Sequence, residues 1–260
     1  MVSEIHYHPI GAGQEFIELM NVGAAPADLS GARFSNGIDY QFPANTVLAP
    51  GARVVVTEPQ FLNGSNLSNG GERITLVGAD GVTVIRDFTY GDSAPWPASA
   101  DGLGPSLVLK NPSAANATDA YHNNAANWRS SVGLGGNPGG SDATVFTGDP
   151  ATDLDHDGLN ALLEYALGTS DTNNAQGLTA WSLVPDAIVP GTWLFAHQRA
   201  HAADDIMVTV EQSNDMQTWT TVGVTAISLA QSGAIENDTY RITAPPGATR
   251  TFVHVRVVKP

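Results

Sequence analysis

The chain has 260 residues, enough for one or two domains, and 42% of them are apolar, enough to fill a core, yet no apolar run nears the roughly 20 residues a membrane helix needs. The absence of cysteine excludes disulfide staples, thiolate metal sites and cysteine nucleophiles. With 26 acidic residues against 11 basic ones, for a net charge of -15, the chain repels polyanions and anionic lipids; neither nucleic acid nor membrane insertion is expected, and divalent cations are attracted.

The opening Met1-Val2-Ser3-Glu4-Ile5 has neither a basic nor an apolar leader and reads as a strand already entering a domain, as in a piece of a larger chain. From Glu4 to about Leu109, short extended runs stand between turn signals: Glu4 to Tyr7, Glu15 to Val22, Arg33 to Phe42, Arg53 to Thr57 and Arg73 to Tyr90. Asn36-Gly37 and Asp80-Gly81 tolerate positive φ and predict two hairpins. Ile74 and Leu76, then Val82 and Val84, recur every second residue, which buries one face of a sheet. Such a pattern specifies a β sandwich or barrel.

Residues 133 to 152 are glycine-rich and aperiodic, which predicts a surface crossing or linker. The period then turns helical from Leu159 to Leu167, with Gly168 placed to end the helix. Strands resume after Gly177: Thr192 to His197, Ile206 to Ser213, Gln217 to Val222, Thr239 to Thr243 and Arg250 to Val258, about the content of a second small β sandwich.

One motif carries specific chemistry. The stretch from Asp153 to Glu164 fits the twelve-residue calcium loop D-x-[DN]-x-[DN]-G-x5-E at every specified position. Calcium takes six to eight oxygens, so Asp153, Asp155 and Asp157 supply alternate carboxylates, Leu159 its carbonyl, and Glu164 two oxygens. Gly158 allows the sharp turn, and a water is expected to fill in for Ala161 at the ninth position. The competing explanation is an acidic turn that caps the following helix without metal, but a cap requires one carboxylate, whereas coordination requires the whole spacing. Gly148-Asp149-Pro150 precedes the loop, so no helix enters it.

The loop and exiting helix, including Glu164-Tyr165-Ala166-Leu167-Gly168-Thr169, resemble dockerin half-repeats and thrombospondin type 3-like calcium repeats of exported bacterial proteins. Further upstream, Ser3-Glu4-Ile5-His6-Tyr7-His8-Pro9, Glu15-Phe16-Ile17-Glu18-Leu19-Met20-Asn21, Asp28-Leu29-Ser30-Gly31, Leu48-Ala49-Pro50-Gly51, Tyr90-Gly91-Asp92, Trp96-Pro97 and Asn127-Trp128 resemble a bacterial lamin-tail domain over residues 3 to about 140. That resemblance implies an immunoglobulin-like β sandwich used as a non-catalytic module in large exported or surface proteins, with no agreed ligand. Val208 to Ser213, Trp219 and Phe252 to Val257 look like the terminal β module of exported proteins from planctomycete and verrucomicrobial-type bacteria.

Other residues have plainer explanations. His6 and His8 lie two apart on a strand, half of a transition-metal site with His122 as a possible third ligand, but surface or packing roles are favoured for them. Glu4, Glu15 and Glu18 would need to converge to act as hydrolytic carboxylates. Asp92 and Asp101 would hold a second calcium only if their loop folds around it, since turn geometry also explains them. Trp96 is either a sugar-stacking platform or a plug under its loop, with the plug favoured.

The expected fold is therefore mainly β. It comprises a lamin-tail-like immunoglobulin sandwich (1–140), a Gly-rich linker (141–152), a calcium-binding loop with one short helix (153–176) and a C-terminal β sandwich (177–260). The expected function is non-catalytic: calcium-stabilised display, adhesion or attachment at the cell surface or outside the cell, as part of a larger parent chain, with an unidentified surface protein or glycan as partner. Alternatives are a carbohydrate-binding accessory module of a secreted hydrolase and a purely structural spacer. A single unpaired loop is expected to bind calcium at roughly 10⁻⁴ to 10⁻³ M.

Overall fold

Runs rich in β-branched and aromatic residues, set off by glycine and asparagine turns, make the chain mainly β. The computed structural model describes residues 1–259, which fall into two units, Met1–Asp142 and one that begins at Ala143.

In the first unit, β1 (Val2–His6), β2 (Phe16–Met20), β7 (Arg53–Thr57), β10 (Leu107–Leu109) and β11 (Trp128–Ser130) form an antiparallel sheet in the order β11-β10-β1-β2-β7. A second sheet runs β5-β4-β8-β9, from Tyr40–Gln41, Arg33–Asn36, Glu72–Val77 and Val84–Tyr90. β3 (Ala27–Asp28) and β6 (Val47–Leu48) make a separate pair. Ile5, Tyr7, Ile17, Leu107 and Trp128 from the first sheet meet Phe34, Ile74, Leu76, Phe88 and Tyr90 from the second in one buried cluster, the interior of an immunoglobulin-like sandwich. Both expected hairpins form, with Gly37 at φ 88° and Gly81 at φ 72°. Their loops are longer than two residues: Asp80 accepts from the amides of Val82 and Thr83 and so shapes the β8–β9 turn.

The first sheet departs from simple alternation, because every residue of β1 is buried. Ile5 and Tyr7 enter the core, while Glu4, His6, Phe16 and Glu18 point to the other face yet are also 9% exposed or less. The glycine-rich stretch covers that face. Gly136 approaches so closely that a Cβ would strike the Glu4 carboxylate and come within 3.1 Å of the Phe16 ring. The Glu4 Oε1 atom accepts from Ser106 Oγ at 2.5 Å and from the Asn137 amide at 3.0 Å. Glu18 pairs with Arg53 at 2.5 Å and accepts from the Gly139 amide at 2.6 Å. The run that reads as a surface crossing is thus pinned to the sheet by two carboxylates more than a hundred residues away in sequence.

Burial, assisted by the charges of Glu18 and Asp142, pushes the Glu4 carboxyl up to about 7 despite its two hydrogen bonds. Because its folded value lies above the ordinary 4.5, its stabilising contribution is complete below 4.5 and is lost as pH rises through about 7. Glu4→Gln keeps an acceptor for Ser106 and Asn137. Its stability relative to the wild type is expected to improve by roughly 2 kcal/mol between pH 5 and pH 8 in denaturant unfolding. A pH-independent difference would show that Glu4 is not held protonated.

Among the described residues the second unit has one α-helix, α2 (Ala161–Leu167), following a single-turn helix α1 (Asp119–His122) in the first unit. The sequence pattern foresees α2 but not α1, which is one turn long and too short for any periodicity. A four-stranded antiparallel sheet, β12-β13-β16-β15, uses Trp181–Pro185, Thr192–Ala200, Ile235–Thr243 and Val224–Ser232. β14 (Met207–Ser213) and β17 (Phe252–Val258) pair separately. β12 and β15 are not foreseen: all five residues of β12 are exposed, so its pattern lacks a buried face. The expected strand at Gln217 to Val222 reduces to one bridge between Gln212 and Thr220. Phe195, Val210 and Ile242 form the apolar centre, and His197 and Asp238 extend the interior along the same face, opposite each other on β13 and β16.

Candidate metal centre

The loop before α2 is built by its own aspartates. Asp153 Oδ2 accepts from the Gly158 amide at 3.1 Å, Asp155 Oδ1 from the Asp157 amide at 3.2 Å, and Asp157 Oδ1 from the Leu159 amide at 2.8 Å. His156 at φ 60° and Gly158 at φ 92° supply the left-handed steps that curl the backbone around these carboxylates. The Ala161 amide donates to the Thr152 carbonyl at 2.7 Å and closes the loop at its base.

Each aspartate therefore spends one oxygen on the loop and keeps one. Those remaining oxygens, Asp153 Oδ1, Asp155 Oδ2 and Asp157 Oδ2, are buried without a hydrogen-bond partner, and Glu164 Oε2 shares that condition. One ligand oxygen from each aspartate lies within 4.8 Å of the others, and among the described residues no other histidine or carboxylate group of three converges in this way. Glu164 is fully buried, its other oxygen accepting from Thr169 Oγ1 at 3.2 Å. Burial, reinforced by the charges of Asp155 and Asp157, pushes its carboxyl up to about 7. A buried acceptor with no donor is costly, and three that converge, with a fourth on Glu164 beside the charges of Asp155 and Asp157, call for a cation.

Capping does not account for them. The N-cap of α2 is Asn160, whose side chain accepts from the Leu163 amide at 3.0 Å. Gly168 at φ 70° ends the helix as an αL cap. The donor set of hard carboxylate oxygens from Asp153, Asp155, Asp157 and Glu164 fits calcium. Sequence reasoning does not single out Gly177, yet a Cβ there would strike both Asp157 Oδ2 and the Leu159 side chain. Nor does it single out Asp171, which accepts from the Leu154 amide at 2.9 Å.

The remaining candidates disperse. His6 Nε2 contacts the Gly104 carbonyl at 3.1 Å, and His8 Nδ1 contacts Asp101 Oδ1 at 2.7 Å. His122 is buried against Phe88, its Nε2 contacting the Val2 carbonyl at 3.1 Å, so these three histidines share no site. Glu4 and Glu18 stand opposite each other on β1 and β2 but under the glycine-rich cover, each already accepting hydrogen bonds there, while Glu15 lies apart and accepts from the Leu67 amide at 2.7 Å. Asp101 serves His8, and Asp92 accepts from Ser93 Oγ. Trp96 packs on the core 6.2 Å from Trp128, as a plug does. Trp219 lies flat on His254, ring centroids 3.6 Å apart.

Among known proteins, the family model of the Lamin Tail Domain matches residues 1–92, which include β1 to β9 of the first unit. Lamin tail domains are an immunoglobulin-like, non-catalytic fold family. No curated protein matches the chain, and no solved structure matches it.

Proposed function

We propose that this chain is a non-catalytic, calcium-stabilised module of a larger exported bacterial protein, serving display, adhesion or attachment outside the cell. The observation that carries the calcium reading is the set of four buried carboxylate oxygens, from Asp153, Asp155, Asp157 and Glu164, that lack any partner within the chain. Capping is done by Asn160, so these oxygens have no remaining structural task. The lamin-tail match, the dispersal of the histidines and the engagement of Glu4, Glu15 and Glu18 in internal hydrogen bonds favour a scaffold over an enzyme. A surface or extracellular setting fits a single loop, because modules of that kind bind calcium at roughly 10⁻⁴ to 10⁻³ M, which only millimolar surroundings saturate.

The test is the thermal midpoint of the second unit in calcium and in chelator. At about 10 mM calcium, ten to a hundred times the expected dissociation constant, binding stabilises by roughly 1.4 to 2.7 kcal/mol. For a unit of this size that is a rise of several degrees. A midpoint unmoved by calcium, with chelator equally without effect, would overturn the reading.

A further inference from the structure

The geometry points to an extended peptide segment as a ligand of the second unit, added as a strand beside β12, with an apolar side chain and, two positions away, an aspartate or glutamate in the hollow next to it. This deepens the attachment reading above and rests on it, but not on its calcium site. Among the described residues β12 pairs with β13 alone, so alternate backbone amides and carbonyls along its other side meet no strand. Two other sheet edges of the chain are guarded. The free edge of β9 is closed by side chains, Asp119 accepting from the Asp87 amide at 3.1 Å and Asn123 from the Thr89 amide at 2.9 Å. β15, at the opposite edge of the sheet that holds β12, carries a bulge between Ala226 and Ser228. β12 has no charge and no bulge, exposes all five of its residues, and keeps its one proline for the last position. An uncharged, regular edge accepts a further strand, because only another backbone satisfies its amides and carbonyls together.

The side chains beside this edge select the kind of strand. Leu183 on β12 and Trp193 on β13 are 47% and 45% exposed, although both stand at the border of the apolar interior. With Ile242 and Val253 they line a hollow open to solvent, and Arg250 is the one charged residue at its wall. Arg250 Nε donates to the Asn214 carbonyl at 3.2 Å, and the guanidinium lies 5.7 Å from the centre of the Phe252 ring. Among the described residues seven of the nine arginines meet an acidic side chain, and Arg250 does not. In a chain with 26 acidic residues, an arginine without one beside an apolar floor is matched by a carboxylate from outside. Successive inward side chains of an added strand stand about 7 Å apart, so one reaches Leu183 and Trp193 and the next reaches Arg250. The chain's net negative charge does not prevent this at physiological ionic strength, where exposed charges beyond about 8 Å are largely screened. A second copy paired through its own β12 would bring Arg250 no acid from that strand.

A phage-displayed library of linear peptides, panned on the full chain in millimolar calcium, supplies the probe, and the enriched sequence is synthesised and titrated. The peptides expected carry an apolar residue two positions from an aspartate or glutamate. N-methylation of one alternate set of peptide amides should abolish binding, while methylation of the intervening set leaves it unchanged. Arg250→Glu should weaken the peptide by about ten-fold or more, and lysine in place of the peptide's acidic residue should restore binding to that variant. The methylation pattern is read on the peptide, so it decides the matter even if the Arg250 variant fails to fold. No enrichment, or an affinity indifferent to both methylation sets, overturns the inference. So does a dimer in sedimentation that Val184→Lys dissolves, which would give the edge to a second copy. The thermal midpoint is read on the same samples: one that still rises with calcium while no peptide binds overturns this inference alone, and one that calcium leaves unmoved while peptide binds overturns the calcium reading alone.

Discussion

Arg129→Ala is expected to destabilise the first unit by about 3 to 5 kcal/mol, the cost of breaking a buried ion pair. The guanidinium of Arg129 is 3% exposed and meets both oxygens of Asp142, at 2.6 and 3.2 Å. Asp142 Oδ2 also accepts from the Val132 amide at 2.8 Å, and Arg129 donates to the Ser130 carbonyl at 3.0 Å. Truncating the arginine leaves a carboxylate that is 11% exposed without its counter-charge. An exposed pair would cost at most about 1 kcal/mol, so equilibrium unfolding in urea discriminates the two cases. A loss under about 1 kcal/mol would mean that the end of the glycine-rich stretch is not held to β11 as described.

That pair bears on where the lamin-tail-like unit ends. The family match stops at residue 92, but β10 and β11 follow it and complete the sheet that carries β1. Trp128 on β11 stacks on Phe88 at 6.1 Å and donates from its indole to the His122 carbonyl at 2.8 Å. Removing residues 93–142 would expose one side of β1 and uncover Glu4 and Glu18, so this segment belongs to the folded unit physically.

The parts legible in the sequence are those in which local chemistry needs a local pattern. Carboxylates at alternate positions of a tight loop converge by local geometry, and Asp153, Asp155 and Asp157 display that spacing without reference to the rest of the chain. Gly168 marks the end of α2 because only glycine reaches φ 70° without strain there. The covered outer face of β1 was not legible, since glycine-rich residues 133 to 140 show no hydrophobic period and their partners, Glu4 and Glu18, lie in the first strands. Glu4 and His6 alternate with apolar residues as solvent-facing positions would, and only the fold reveals that both are buried. Asp171 and Gly177 were invisible for a related reason: each reaches the site through the turn after the helix, at a separation no fixed motif records.

Glu164→Gln is expected to reverse the order of stabilities between chelator and calcium. At pH 8 without calcium, above the value of about 7 to which burial pushes it, the Glu164 carboxyl is ionised and fully buried beside the charges of Asp155 and Asp157, and the amide relieves that repulsion while filling the same volume. The variant should therefore melt at or above the wild type in chelator. In about 10 mM calcium the wild type gains roughly 1.4 to 2.7 kcal/mol, whereas the variant, lacking the carboxylate that offers calcium two oxygens, gains little. The wild type then melts several degrees higher. A purely structural Glu164, holding Thr169 through its hydrogen bond, predicts the same deficit or the same gain under both conditions. The crossing distinguishes a metal ligand from a buried brace because calcium alone changes the sign of what that negative charge does at the loop.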